Sequence, residues 1–233
     1  MGHKKFRDAA GVFVAEGPKI VQELMSCTHI ALRELFATKD WLLENETRVP
    51  LKNITEVKTH ELERISFLTT PARVLSVFSK PVFSDPEKGK GITLLLDEIQ
   101  DPGNLGTIIR TADWFGVQRI VCSSGTADAF NPKVVQSSMG SIARVEVMYG
   151  DLEDYARSRP GIPLYAAMLD GEDLGSVLRI PEVLVLIGNE SRGIRKELAA
   201  LAGHRIRIPR KGAAESLNAA VATGIILSLV QTD

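Results

Sequence analysis

The sequence predicts an α/β protein with two domains, a small α/β domain followed by a larger one built on a mostly parallel sheet. Hydrophobic residues make up 44% of the 233 residues, which is enough to form buried cores. The segment KPVFSDPEKGKG, residues 80–91, combines two prolines and two glycines with alternating charges, as interdomain linkers do. We therefore expect a first domain at residues 1–80, a linker at 81–91 and a second domain at 92–233.

The first domain shows a short alternation of strand and helix patterns. VFVAE at residues 12–16 predicts a strand, and Pro18 suits the first turn of a helix that continues to about Cys27. RVLSVFS at residues 73–79 alternates with the period of two that is expected of a strand. A further strand is predicted at residues 34–39 and a short helix at residues 60–66.

The second domain repeats a pattern of strand, loop and helix. Its apolar runs are short and continuous, which indicates strands buried on both faces of a parallel sheet. Ligands of such sheets bind at the carboxyl ends of the strands, so the loops that follow the strands are the candidate functional segments. The predicted strands are residues 92–97, 118–123, 144–149, 163–169, 182–188 and 204–209, and the predicted helices begin near Asn104 and span about 132–142, 152–158, 195–202 and 215–230.

Composition and the first residues argue against several classes of protein. The longest apolar runs reach about five residues, far below the roughly 20 that span a bilayer. The charged start MGHKKFRD contains no apolar signal region, so we expect a cytoplasmic protein without a membrane anchor. Cys27, Cys122 and four scattered histidines offer no metal-ligand or redox spacing, and no metal is expected.

The net charge of −1 argues against nucleic-acid binding over the whole surface, which usually requires a strong basic excess. RNA would instead have to contact a local basic patch. Each candidate cluster, taken alone, is more typical of an ordinary solvated surface than of an RNA contact. The clusters are Lys4, Lys5 and Arg7; Arg192, Arg195 and Lys196; and Arg205, Arg207, Arg210 and Lys211.

The first candidate loop is DEIQDPGNLGTIIRTADWFG, residues 97–116. Asn104 is a natural N-cap for the helix that follows, and Arg110 lies six residues further on. Six residues are about 1.7 helical turns, so the two side chains point to different sides of the helix. They can serve one site only if a loop or a partner subunit wraps around that helix. A capped helix with a surface arginine is the alternative interpretation.

The second candidate loop is VLVLIGNESRGI, residues 183–194. A buried strand ends at Gly188, where the lack of a side chain allows a ligand to approach the backbone closely. Glu190 offers a carboxylate near the edge of the sheet. A plain turn between strand and helix would have the same pattern.

The third candidate loop, RIRIPRKGAAESLN at residues 205–218, leads into the last predicted helix. Glu215 or Ser216 is a candidate cap for that helix. Asn218 in its first turn would cost about 1–3 kcal/mol if it were buried without partners, so a hydrogen-bond partner is expected. Gly224 costs roughly 1 kcal/mol relative to alanine, which a close backbone contact or ordinary core packing would explain. An apolar stripe repeats every four residues, at Leu217, Val221, Ile225 and Leu229.

Taken together, three ordered motifs resemble the signature motifs of the SpoU family of RNA ribose 2′-O-methyltransferases. They are NLGTIIR at residues 104–110, IGNESRG at 187–193 and IPRKGAAESLN at 208–218. The stretch around FVAEGPKIVQELM is similar to the small RNA-binding domain that precedes the catalytic domain in rRNA-methylating members, with its first helix shortened to GHKKFRDAA. The resemblance implies a SPOUT fold with a deep C-terminal trefoil knot, and a homodimer with its site at the subunit interface.

The resemblance also implies S-adenosylmethionine as the methyl donor and a set of site residues. The polar residues of the family correspond to Asn104, Arg110, Glu190, Ser216 and Asn218. The cofactor contacts correspond to Gly188, Ile208 and Leu217, and Met168 is expected to add to the pocket wall. Arg210 and Lys211, with Lys4, Lys5 and Arg7, are the expected RNA contacts.

Arg110 is the residue that the family resemblance places at the reaction. Arginine is almost always protonated in proteins, so it is a poor base. We expect it to pair with an RNA phosphate and to stabilise the developing alkoxide, although direct proton transfer to the arginine is the alternative. Two other functions stay open at this point: an inactive RNA-binding ribosome-assembly factor, and a nucleotide-binding α/β enzyme, which would lack the usual glycine-rich phosphate loops here. The small first domain favours rRNA over tRNA as the substrate.

Overall fold

A computed structural model describes residues 2–28, 30–49, 52–83, 91–173 and 182–230. Its first part is a four-stranded sheet with four short helices. The strands are β1 (Val12–Glu16), β2 (Leu32–Ala37), β3 (Ile54–Glu56) and β4 (Val74–Ser79), and the helices are α1 (Lys4–Ala10), α2 (Pro18–Met25), α3 (Lys39–Glu44) and α4 (Thr59–Ile65).

The strand order of this sheet is β1-β4-β2-β3. β4 pairs antiparallel with both β1 and β2, whereas β2 and β3 are parallel. The sequence did not predict β3 or α3, because three and six residues are too short to show a period. Trp41 holds α3 in place, since its side chain is fully buried.

The second part contains six further strands and five further α-helices among the described residues. The strands are β5 (Ile92–Leu96), β6 (Arg119–Cys122), β7 (Glu146–Tyr149), β8 (Leu164–Asp173), β9 (Val183–Ile187) and β10 (His204–Arg207). The helices are α5 (Pro102–Trp114), α6 (Pro132–Ser138), α7 (Leu152–Arg157), α8 (Lys196–Leu201) and α9 (Ala219–Leu229), with a 3-10 turn at Ser141–Ala143.

These strands form one sheet in the order β10-β8-β9-β5-β6-β7. Every neighbouring pair is parallel, as predicted from the continuous apolar runs. One face packs against a large core that includes Leu94 and Val185, and the other packs against a smaller core that includes Leu95 and Leu186. The α/β class with a mostly parallel sheet is therefore confirmed. Because β5 and β9 are central neighbours, the loops that follow them begin side by side.

Three predicted helix boundaries are wrong, each for a local reason. The helix predicted over 132–142 ends at Ser138, because Met139 and Gly140 adopt left-handed backbone conformations. The first helix of the second part begins at Pro102 and not near Asn104, since Asp101 is its N-cap. The last helix begins at Ala219 and not at Glu215, as described below.

The two parts pack directly against each other. Arg7 on α1 is buried and pairs with Asp128, which follows β6 in the second part. The ring of Phe130 lies 5.4 Å from the ring of Phe13 and 4.6 Å from the amine of Lys80. Arg7 is thus part of the contact between the two sheets, and its prediction as an RNA-binding residue is wrong for this fold, because a buried guanidinium cannot reach a phosphate.

The predicted linker at 81–91 lies partly outside the described residues, which omit 84–90. The described part of the chain contains no helix with the length and apolar character needed to cross a membrane. Nor do its His, Cys, Asp and Glu residues form a group of three or more that could hold a metal ion.

Candidate active site

Three loops at the carboxyl edge of the large sheet meet in one polar cluster, formed by Asn104, Glu190 and Asn218. The Asn104 amide donates to Oε1 of Glu190. Nδ2 of Asn218 donates to Oδ1 of Asn104 at 2.8 Å and lies 3.4 Å from the same Glu190 oxygen. Residues 114 positions apart in the chain are thus hydrogen-bonded neighbours. The expected partner of Asn218 is present.

The start of α5 explains why the Asn104 side chain is free to join this cluster. Asp101, not Asn104, is the N-cap, and its Oδ1 accepts from the Asn104 backbone N–H at 2.9 Å. This hydrogen bond is the main reason why the pKa of Asp101 lies below its usual value, with a further contribution from Lys133. Asn104 therefore occupies the first turn of the helix with its amide available to other loops.

The end of β9 is shaped by Asn189, which the sequence analysis did not single out. Its Oδ1 accepts from the backbone N–H groups of Ser191 and Arg192, and its Nδ2 donates to the Glu98 carbonyl at 2.7 Å. The loop folds back so tightly that a Cβ on Gly188 would lie 2.5 Å from the backbone of Gly193. Asn189 thus joins the second loop to the first and presents Glu190 to the cluster.

Asp97, the first residue after β5, is a second positioning group that sequence reasoning missed. It is almost fully buried and accepts from both the backbone N–H and the Nε of Arg195, at 3.0 and 2.8 Å. The run of acidic residues after the strand was the available signal. A buried carboxylate with two donors from one residue fixes the chain where the second loop leads into α8.

Asn218 caps α9 and connects that helix to the other loops. Its Oδ1 accepts from the backbone N–H groups of Ala220 and Val221, at 2.9 and 3.2 Å. The Ala219 N–H points instead to Glu190 Oε1 at 3.3 Å. The Glu190 carboxylate is therefore placed at the N-terminus of a helix, where the helix dipole favours negative charge. Neither Glu215 nor Ser216 caps this helix, contrary to the sequence prediction.

Arg110 and Ser216 stand apart from this cluster. Arg110 is exposed on α5, six residues after Asn104, and makes no hydrogen bond or ion pair with any residue that the structure describes. Ser216 is also exposed, and its hydroxyl has no partner within the same ranges. Among the described residues, the chain by itself thus hydrogen-bonds three of the five predicted polar residues to one another and leaves Arg110 and Ser216 outside that cluster.

The predicted cofactor residues lie along the same edge of the sheet. Parallel pairing places Ala166 of β8 opposite Leu186 of β9, so Met168 and Gly188 are level with each other just beyond. Ile208 follows β10 and is half-buried against the larger core, whereas Met168 packs on the core of the opposite face. Leu217 is 45% exposed. Residues 209–217 form no backbone–backbone hydrogen bonds within the described chain, so most of their backbone polar groups are available to a ligand. The Ala214 carbonyl is the exception, since it accepts from Arg210.

The basic residues near this edge divide into paired and available side chains. Arg205 and Arg207 form ion pairs with Asp170 and Asp173, at 3.1 and 2.6 Å. Arg192 and Arg195 lie beside acidic residues of the first loop. Arg210, Lys211 and Lys196 are exposed and form no ion pair within the described ranges, and Arg210 donates to the Ala214 carbonyl. Lys4 and Lys5 are exposed on α1, and Lys4 lies over the ring of Tyr149.

An apolar face is exposed on the pair of helices α5 and α9. The two helices run parallel, because Asn104 meets Asn218 at their starts and Thr111 lies beside Gly224 further along. Most of the stripe predicted from the four-residue repeat faces solvent, since Val221 is 52% and Leu229 48% exposed, whereas Ile225 is half-buried beside the larger core. Trp114 at the end of α5 is 84% exposed. We define the apolar face as Trp114, Val221, Ile225 and Leu229.

A parallel sheet whose strand-end loops converge on polar and glycine residues defines an α/β protein that binds its ligand at the carboxyl edge. The model of the SpoU rRNA Methylase family matches residues 91–228, and that of the MRM3-like substrate binding domain matches residues 1–76. The chain belongs to the SpoU rRNA methylase family.

Relatives with assigned activities match nearly the whole chain. The 23S rRNA (guanosine(2553)-2′-O)-methyltransferase RlmP of Bacillus subtilis is 33% identical over 96% of this chain and 90% of its own length. An AdoMet-bound rRNA methyltransferase from Sinorhizobium meliloti superposes with a TM-score of 0.85 and 33% identity, over 98% of this chain and 90% of that one. The SpoU methyltransferase AviRb from Streptomyces viridochromogenes, in complex with AdoMet, gives a TM-score of 0.85 and 25% identity, over 98% and 92%.

Proposed function

We propose that this protein transfers a methyl group from S-adenosylmethionine to a ribose 2′-hydroxyl of rRNA. The observation that carries the proposal is the polar cluster, in which Asn104, Glu190 and Asn218 join the three motif loops. Membership of the SpoU family supports the reaction type, and the 23S rRNA specificity of the B. subtilis relative supports the substrate class.

The residues at the carboxyl edge suit S-adenosylmethionine. Glycine at position 188 lets the second loop fold back against Gly193, where a Cβ would collide. Residues 209–217 supply backbone groups that form no backbone–backbone hydrogen bonds within the described chain. Half-buried Ile208 and Met168 and exposed Leu217 offer apolar surface for the adenosine part. When bound, S-adenosylmethionine supplies a methyl group activated by a positive sulfur.

In the proposed reaction the protein orients the ribose and stabilises charge. Arg110 pairs with the phosphate next to the target ribose and stabilises the alkoxide that develops on the 2′-oxygen. The proton leaves to phosphate or water, because an arginine side chain is already protonated. Asn104, Asn218 and Ser216 orient the arginine and the ribose, and Glu190 holds the second loop in place. Positioning of this kind accounts for much of the rate gain in displacement reactions.

The proposed active form is a homodimer in which Arg110 acts in the site of the partner subunit. Two observations support it: exposed Arg110 makes no contact with the cluster of its own chain among the described residues, and the apolar face on the same pair of helices is exposed. Exposed apolar patches on helices are typical of subunit contacts.

The proposal also includes the C-terminal trefoil knot of the family. It is supported by the path of the chain, which pairs β10 with β8 at the sheet edge and then returns to pack α9 on α5.

The proposed RNA surface includes the first domain, with Lys4 and Lys5, and the loop that carries Arg210 and Lys211.

Likeness to a bacterial 23S rRNA methyltransferase supports a cytoplasmic location for this protein. A tRNA substrate and an inactive assembly factor are the alternatives that the experiment must distinguish.

The direct test is methyl transfer from radiolabelled S-adenosylmethionine to purified rRNA and tRNA from cells that lack the protein. We expect label in rRNA, at a single 2′-position that resists alkaline cleavage. Label in tRNA alone would reassign the substrate. Binding of S-adenosylmethionine without transfer to any RNA would favour the assembly factor, and calorimetry that detects no binding would contradict the proposal as a whole.

A further inference from the structure

A cavity lies between the two parts of the chain and shares no lining residue with the polar cluster. It has a volume of about 370 Å³, within the roughly 300–1,000 Å³ of small-molecule sites. The first domain contributes Glu16 at the end of β1 together with Phe67 and Leu68 after α4, and the second domain contributes Lys133 and Gln136 of α6. The walls of this interdomain cavity are therefore partly apolar and partly polar.

The carboxylate of Glu16 is the unusual feature of this cavity. Glu16 is only 5% exposed, yet no cation pairs with it among the described residues. Its oxygens accept from the Ser66 hydroxyl at 2.5 Å and the Phe67 backbone N–H at 2.8 Å. A carboxylate can accept about four hydrogen bonds, so Glu16 retains capacity for two further donors.

The other walls provide a stacking surface and further polar groups. The Phe67 ring is 45% exposed at the cavity. The Gln136 side chain makes no hydrogen bond within the described ranges, so its amide is free to donate and accept. The Lys133 side chain is 65% exposed, and its amine lies 3.4 Å from the Asp101 carboxylate. Because Asp101 caps α5, Lys133 connects the cavity to the helix turn that carries Asn104.

We propose that the interdomain cavity binds an unpaired guanine base of the RNA substrate, near the nucleotide that is methylated. The inference rests on the proposed function, since it assumes an RNA substrate. Phe67 stacks on the base, as aromatic residues do on bases of single-stranded RNA. Glu16 accepts from the N1–H and N2–H groups of guanine, and Gln136 completes the recognition of the base edge. Lys133 neutralises the adjoining phosphate.

The preference for guanine follows from hydrogen-bond chemistry. Guanine is the base with two adjacent donors on its Watson–Crick edge, which match the two oxygens of a carboxylate. Adenine and cytosine each present one amino group beside an acceptor, which the negative Glu16 would repel. Uracil presents one N–H between two acceptors. Glu16 has capacity for two donors beyond Ser66 and Phe67, and guanine is the base that supplies both from one edge.

The first experiment measures binding of GMP, AMP, CMP and UMP to the full chain by ligand-observed NMR. We expect GMP to bind at least about fivefold more tightly than the other three. Phe67→Ala should weaken GMP binding by roughly fivefold or more, the effect of losing one base–aromatic contact. Phe67→Tyr should retain binding. Phe6→Ala is the matched control, because Phe6 is an exposed phenylalanine outside the cavity.

Glu16→Gln tests the recognition of guanine separately from stacking. The glutamine has the same size and can still accept from the Phe67 N–H, so thermal unfolding should stay close to that of the parent chain. We expect GMP to lose its advantage over AMP in this variant. Equal binding of all four nucleotides to the parent chain, or unchanged GMP binding in Phe67→Ala, would overturn the inference.

Methyl transfer distinguishes failure of this inference from failure of the proposed function. With RNA as substrate, Phe67→Ala should raise KM with little change in kcat, because the cavity binds RNA but does not touch the reacting atoms. Full activity of Phe67→Ala with unchanged KM would contradict the cavity and leave the methyltransferase standing. GMP binding in a chain that methylates no RNA would support the cavity and contradict the proposed methyltransferase function.

Discussion

At the scale of single residues, Glu190 has the most connected position in the candidate site. Its Oε1 accepts hydrogen bonds from the side-chain amide of Asn104 and from the backbone N–H of Ala219. Nδ2 of Asn218 lies close to the same oxygen. A residue in this role organises the loops on which catalysis depends. It does not have to transfer a proton itself.

Arg110 is the residue whose role in the reaction can be measured most directly. Arg110→Ala should lower turnover by roughly 10²-fold or more, because it removes an interaction made mainly in the transition state. S-adenosylmethionine binding should stay within a few-fold, and calorimetry beside a single-turnover assay would measure both. Arg157→Ala is a suitable control, since Arg157 is an exposed arginine at the end of α7. Near-normal turnover of Arg110→Ala would remove Arg110 from the mechanism.

At the scale of elements, the packing of α5 against α6 depends on Gly106. A Cβ at this position would lie 2.6 Å from the carbonyl oxygen of Val134 and closer still to the hydroxyl of Ser137. Alanine normally favours a helix over glycine by about 1 kcal/mol. Here the overpacking cost of about 1–3 kcal/mol should exceed that gain.

We therefore expect Gly106→Ala to lower the free energy of unfolding and Gly224→Ala to raise or preserve it. At Gly224 the added Cβ would meet only Thr111, at an ordinary distance of 3.7 Å. The close contact suggested by the sequence is therefore not found there in the single chain. Denaturant unfolding of the two variants provides the comparison. A stabilised Gly106→Ala would mean that α5 and α6 are further apart than described.

The N-terminus of α5 should make stability sensitive to acid. The pKa of Asp101 is lowered in the folded chain, mainly by the N–H of Asn104, so ionised Asp101 stabilises the fold above its unfolded pKa of about 4. This contribution is lost as the pH falls through the lower, folded pKa.

Substitutions at Asp101 separate the cap from its charge. Asp101→Ala should cost about 1 kcal/mol at pH 7, as for other N-caps. Asp101→Asn should retain most of the cap and show a smaller loss of stability than the parent chain as the pH falls below about 4, the reference pKa of Asp. Identical acid profiles of the parent and Asp101→Asn would contradict this role.

At the scale of the whole molecule, the apolar face and the isolated Arg110 lead to a test of the proposed homodimer. Leu229→Glu should dissociate it, because a charge would be buried in the contact between subunits. Leu43→Glu, at an exposed leucine of the first domain, should not. Analytical ultracentrifugation measures both. An unchanged mass of Leu229→Glu would show that α9 is not in the interface.

Mixing inactive variants tests whether the site is shared between subunits. Arg110→Ala and Asn218→Ala should each be inactive alone. If Arg110 acts across the interface, mixed dimers contain one intact site, and exchange of subunits should restore about a quarter of the parent activity. No recovery on mixing would mean that both residues act within one chain.

Much of this organisation could be predicted from local patterns along the chain. Apolar runs and their spacing predicted the strands of the parallel sheet, and three ordered motifs indicated the family. Short elements such as β3 and α3 escaped prediction because they lack a measurable period. Helix starts were misplaced where two capping residues compete within a few positions, as with Asp101 and Asn104.

By itself, the sequence determined the α/β class, the order of the elements and the motif residues, because hydrophobic period and turn chemistry are local properties. Only the tertiary structure decided that Asn104, Glu190 and Asn218 share hydrogen bonds, that Arg7 is buried between the two parts, and that the stripe on α9 faces solvent. These outcomes depend on which surfaces meet when distant segments pack. Which surfaces meet depends on the burial and hydrogen bonding of the whole chain, and a local sequence pattern does not contain that information.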